Sequence, residues 1–194
     1  MGVALAPDEN HAPRAEEAAG LLPAWVNPDL DRLMVVKKTA GDFRSWSESL
    51  VDLPAGAVFA RITGVTVSRS ASWSSVQAGR SLHIELNSDL VFTNHSCAPT
   101  LEWDMERMEV RVHRNRDLKK GDILSFFYPS TEWEMSQPFD CWCGAGKGIC
   151  FGRIEGAVRL DPERLKGYWI NGYIKEMLEE TSTNNGSKGY STRI

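Results

Sequence analysis

The chain has 194 residues, is 42% apolar and 25% charged, and carries a formal net charge of −4. That is long enough for one domain with its own core, and the mild acidity argues against an electrostatic grip on bare nucleic acid or an anionic membrane. No apolar run approaches the ~20 residues a membrane span needs, and no basic start followed by a long apolar stretch marks a secretory leader. A reducing compartment, cytoplasmic or nuclear, is therefore the expectation.

In chain order, residues 1–25 are rich in Ala, Glu and Pro without periodicity and read as a disordered tail. Short strands follow. "LMVVK" (Leu33 to Lys37) and "AVFARIT" (Ala57 to Thr63) are β-rich runs, with "LPAG" as the turn before the second. A short insert of about 30 residues, Gly64 to Thr93, separates that strand from the next motif. It leads into "NHSCAPT", which sets an amide, an imidazole, a hydroxyl and a thiol side by side. In "MEVRVHR", Met108, Val110 and Val112 alternate with Glu109, Arg111 and His113, the pattern of a half-buried antiparallel strand. After the turn "RDLKKGD", "ILSFFY" (Ile123 to Tyr128) is apolar on both faces apart from Ser125 and reads as a more buried strand. The loop "YPSTEWEMSQPFD" puts Glu132 and Glu134 on either side of Trp133. These are solvated carboxylates, or acids that meet a cationic substrate at a channel mouth.

Near the end, "DPERLKGYWINGYIKEMLEE" predicts a helix within 158–180, with Asp161 as N-cap and Pro162 in the first turn. Leu165, Trp169, Tyr173 and Met177 give it a wide apolar face, either packed on the core or free as a lid or dimer surface. The polar residues 181–194 read as a second disordered tail. The class is mostly β with minor α.

The four cysteines are Cys97, Cys141, Cys143 and Cys150, the last three in a C-x-C-x6-C cluster. Gly144, Gly146 and Gly148 let that segment curl, so that Cys150 can join the C-x-C pair and Cys97 can complete a tetrahedral zinc site. Two disulfides or four unrelated thiols are the alternatives. The expected reducing compartment and the clustering weigh against both.

Three motifs in order, "NHSCAPT", "KKGDILSFFY" and "FDCWCGAGKGICFGRIEG", resemble the SET-domain lysine methyltransferases. The resemblance runs from about Leu33 to Gly156. It implies a β-rich, pseudo-knotted SET domain over 26–138, a Cys-rich post-SET zinc segment over 139–157, and the C-terminal helix beyond. It further implies S-adenosylmethionine held by Asn94 and His95, with Gly41 remaining from the family's N-terminal Gly-x-Gly and with Phe139 and Trp142 of the post-SET segment. Tyr128 matches the catalytic tyrosine, and the four cysteines match the zinc ligands. A narrow channel would admit the acceptor, a protein lysine or a small-molecule amine.

Physical chemistry points the same way. In-line methyl transfer needs a dehydrated, neutral amine, and a tyrosine hydroxyl supplies a dipole there without a charge that would hold the amine protonated. Three departures stand out: Thr100 in place of a final Asn, Phe127 where many members carry Asp or Asn, and the missing Gly-x-Gly. Phe127 is expected to tighten the acceptor channel. These departures keep two alternatives open, a SET fold reused on a small molecule in natural-product biosynthesis and a non-catalytic binding module. Oligomeric state is not legible.

Overall fold

The computed structural model describes residues 30–40 and 45–186. Both expected tails lie wholly or partly outside that range, and so does Gly41. The described strands are β1 (Met34–Lys38), β2 (Ser45–Ser49), β3 (Val58–Arg61), β4 (Thr66–Ser68), β5 (Ser75–Gly79), β6 (Leu82–Glu85), β7 (Asn94–His95), β8 (Leu101–Asp104), β9 (Glu109–Val112), β10 (Ile123–Phe126), β11 (Phe139–Asp140) and β12 (Arg153–Ile154). Two helices follow, α1 (Pro162–Leu165) and α2 (Gly172–Gly186). No described helix is long and apolar enough to cross a membrane.

The strands form small sheets rather than one large one. The order β1-β2-β10-β7 makes four strands, β3-β9-β8 three, β4-β6-β5 three and β11-β12 two. Between them lies one core, in which Leu101, Trp103, Val110, Val112, Leu118, Leu124 and Ile174 are fully buried. Its aromatic centre is Trp103 stacked on Phe126 at 4.4 Å.

Alternation places Val110 and Val112 inside, as expected, in an antiparallel pair with β8. Its continuation to Met108 fails. Met108 has φ +52° and belongs to the hairpin before β9. Glu109, expected outside, is only 4% exposed because Arg61 and Arg111 each reach it at 2.5 Å. The insert 64–93 forms the β4-β6-β5 sheet and the 3-10 turn Asp89–Phe92.

The single expected helix is two helices. Asp161 does cap α1, accepting the Glu163 N–H at 3.0 Å. The chain then leaves helical geometry because Asn171 is drawn into the core. Its Nδ2 donates to Trp103 O (2.9 Å) and Ser130 O (2.8 Å), and its Oδ1 accepts the Met105 N–H (2.9 Å). An amide so engaged meets three backbone hydrogen-bond needs on two segments, 103–105 and the Ser130 turn. Asn171 O then accepts the Ile174 and Lys175 N–H groups and starts α2, which continues through residue 186, beyond the expected end at 180.

Candidate functional site

The site is built where β7 meets the end of β10. These strands are parallel, with Ser125 opposite Asn94 and Phe126 opposite His95. The pairing brings the "NHSC" turn beside the tyrosine strand although about thirty residues separate them. Thr100 ties the same joint. Its hydroxyl donates to Ile123 O and accepts the Ser125 N–H, both at 2.9 Å. A Thr therefore serves where the family signature has Asn.

Tyr128 opens the 3-10 turn that follows β10, Tyr128–Ser130. Its hydroxyl donates to Thr93 O at 3.2 Å, and its N–H donates to His95 Nδ1 at 3.2 Å. Burial, reinforced by the Glu132 carboxylate, holds the phenol above its ordinary range, so it stays protonated. His95 works on both sides. With Nδ1 accepting, the proton sits on Nε2, which lies 3.3 Å from Cys97 Sγ. Burial lowers the ring to about 4, so it is neutral. Both ring nitrogens are thus engaged by protein atoms, and His95 can offer a cofactor only its backbone. Asn94 is exposed. Its Nδ2 donates to Ser45 O at 2.7 Å, which leaves Oδ1 for a ligand.

The four cysteines converge. Their sulfurs all lie within 4.8 Å of one another and none is in a disulfide. Sulfurs about 2.3 Å from a tetrahedral zinc stand about 3.8 Å apart, and Cys97 to Cys141 is 3.8 Å. Backbone N–H groups of Cys143, Phe151 and Gly152 point at Cys141, Cys97 and Cys150, each at 3.4 Å, as suits thiolates. Burial pushes the Cys97 thiol up, and repulsion from Cys141 and Cys143 adds to that, so a bound cation is what would make four thiolates tolerable there. The donor set fits Zn²⁺. Gly144, Gly146 and Gly148 have φ of +69°, +86° and +90°, the left-handed turns that bring Cys150 back. From behind, Tyr168 donates to Cys97 O at 2.6 Å, and Arg164 lies 3.7 Å over Phe151. Phe127 belongs to this layer, stacked on Tyr168 at 4.0 Å and tilted against Phe151. It also tilts against the His95 ring at 5.7 Å and is not among the residues lining the cavity.

The cavity, about 950 Å³, is walled by Asn94, His95, Phe139, Trp142 and Tyr128 together with Trp46, Thr93, Trp103 and Glu132. Its size lies at the upper end of the ~300–1,000 Å³ usual for small-molecule sites. Phe139 packs edge-on to His95 (5.6 Å) and Tyr128 (6.0 Å). Trp142 stands on the rim, 92% exposed. Thr93 Oγ1 and Trp103 Nε1 are buried without a hydrogen-bond partner among the described residues. Unmet polar groups in residues lining a cavity suit a polar ligand. Trp46, Thr93 and Trp103 are the lining residues that sequence reasoning missed. Only the position of Thr93, immediately before Asn94, gave a local signal.

A scan against protein-family models finds no match. The chain is 46% identical over 157 residues to a protein of Aspergillus flavus described as Methyltransferase flvH, covering 81% of this chain and 87% of that one. Among solved structures it is similar to KRYPTONITE in complex with mCHG DNA and SAH, with TM-score 0.48 and 21% identity over 63% of this chain. It is also similar to KRYPTONITE in complex with mCHH DNA, H3(1-15) peptide and SAH, with TM-score 0.45 and 20% identity over 62%. The chain spans 29% of the length of each of those two proteins.

Proposed function

The chain belongs to the SET-domain methyltransferase family, and on that premise we propose that it moves a methyl group from S-adenosylmethionine to the nitrogen of an alkyl amine. One observation carries the reading: Asn94, Phe139, Trp142 and the Tyr128 turn line a single cavity.

The residues fit the donor. Asn94 Oδ1 and the β7 backbone would hold its polar ends, Phe139 and Trp142 its apolar surface, and when bound it supplies an electrophilic methyl on a sulfonium. The protein's own part is positioning. Thr93 O fixes the Tyr128 hydroxyl, and His95 fixes its backbone. A neutral phenol beside the acceptor orients the amine lone pair without favouring the ammonium. Zinc on Cys97, Cys141, Cys143 and Cys150 would take no part in the transfer. It would tether the flap that carries Phe139 and Trp142 to the Asn94 turn. Four free thiols in a metal-suited cluster also fit a cytoplasmic or nuclear setting.

The acceptor nitrogen is that of a compact amine or of a protein lysine side chain. Calorimetry with S-adenosylmethionine tests the whole reading. Saturable micromolar binding is expected, and no binding at millimolar cofactor would eliminate it.

A further inference from the structure

The cavity wall contains one buried acid with no cation to meet it. Glu132 is 8% exposed. Its Oε1 is fully used, accepting the Gln77 N–H at 2.8 Å and the Thr131 hydroxyl at 3.1 Å. Its Oε2 has no hydrogen-bond partner among the described residues, and no described residue forms an ion pair with it. The titratable groups that feel its charge are the phenols of Tyr128 and Tyr173. Its own N–H donates to Tyr128 O at 2.9 Å, so acid and tyrosine sit on one turn. Around them the cavity is apolar, with Val76, Leu86, Leu90, Trp103 and Phe126.

Burying an unpaired carboxylate costs several kcal/mol. The tie to Gln77 needs only an acceptor oxygen, which an amide would provide without that cost. A carboxylate earns its place here only if something cationic meets its second oxygen.

We infer that Glu132 is a catalytic residue of this site: its Oε2 receives the alkyl ammonium of the acceptor and takes one proton from it. The inference rests on the methyltransferase reading for its direction. In the step, R–NH3⁺ and the carboxylate become R–NH2 and the carboxylic acid. The N–H electron pair stays on nitrogen and forms the N–CH3 bond, while the S–CH3 pair returns to the sulfur of the sulfonium donor. In an apolar chamber the neutral pair is favoured over the charged one, and burial already raises this carboxyl to about 7.

The test reads binding, not turnover. Hexylamine, its neutral counterpart hexanol and a capped lysine tripeptide are titrated into the full chain at pH 8, with and without S-adenosylhomocysteine. Hexylammonium is expected to bind at least about tenfold tighter than hexanol (about 1.4 kcal/mol). That preference should disappear in Glu132→Gln, which keeps the tie to Gln77. It should also shrink at pH 5.5 in the unaltered protein, where Glu132 becomes protonated while hexylamine remains an ammonium, so a misfolded variant does not spare the idea. Equal binding of amine and alcohol, no binding of either, or a preference that survives both changes overturns it. Tripeptide binding alongside hexylamine supports the site with a protein lysine as source, and hexylamine alone supports it with a free amine. Amine preference without any S-adenosylhomocysteine binding would uphold Glu132 and sink the methyl-transfer reading instead.

Discussion

The β7–β10 joint and the cysteine flap both line the cavity, yet they are held by different physics. At the joint, Asn94, His95, Thr100, Ser125 and Tyr128 are tied by backbone and side-chain hydrogen bonds, many of them buried. The flap from Phe139 to Ile154 has short β11 and β12, four left-handed glycines and many exposed residues. Besides the β11–β12 pairing and the aromatic layer behind it, its main cross-links are the four sulfurs. Hydrogen bonds and packing fix the joint, while on the proposed reading a zinc ion would tether the flap. A site built this way would keep Tyr128 fixed and leave its cofactor cover conditional.

The strongest way to break the contrast is to remove the ion or a ligand. Chelation, or Cys143→Ser, should release the flap and weaken S-adenosylmethionine binding by about a hundredfold or more, while far-ultraviolet circular dichroism still reports the folded strands. Normal binding by the Cys143 variant would show that the flap needs no metal. Next comes the joint. Tyr128→Phe should leave cofactor affinity within about threefold and cut turnover by about 10²–10³, the size of one lost oriented donor. Unimpaired turnover would remove Tyr128 from the mechanism.

A third, smaller effect separates the walls by pH. Glu132 is raised from 4.5 to about 7 by burial, against the hydrogen bonds from Gln77 and Thr131. The folded state therefore binds more protons than the unfolded one between those values. Its stability should fall as pH rises from about 4.5 to about 7 and level off above, by about 3 kcal/mol at most. Urea unfolding at pH 5 and pH 8 measures this, and Glu132→Gln should flatten that part of the profile. The smallest effect belongs to the rim. Trp142→Ala should change stability by less than about 0.5 kcal/mol and cofactor affinity by a few-fold, seen by melting and calorimetry on the same sample.

The two walls also differ in how plainly the sequence announces them. The flap is written almost locally. C-x-C-x6-C with interleaved glycines states its ligands and its turns, and only Cys97 is distant. The "NHSC" turn and Tyr128 are legible for a related reason, since their residue types are unusual together. What stayed hidden depends on partners far along the chain. Segment 64–93 reads only as a short insert because its strands are short and serine-rich, and Glu85 gathers the Ser72 and Ser74 hydroxyls at 2.8 Å. Asn171 reads as one more helical position until its three core partners are known. Glu132 reads as a solvated loop acid or one that meets a cationic substrate, since nothing in "STEWEM" says that Gln77 will cover it. Phe127 reads as a channel residue, with no local sign that Tyr168 will stack on it.

His95 spans the boundary between the two walls, one nitrogen on the backbone of the tyrosine and the other on a sulfur of the cysteine cluster. The cysteine cluster is thereby joined to the Tyr128 backbone through a single rigid ring. If the cluster holds zinc as proposed, loss of the ion would loosen the flap and the tyrosine turn together, with no inhibitor ever entering the cavity.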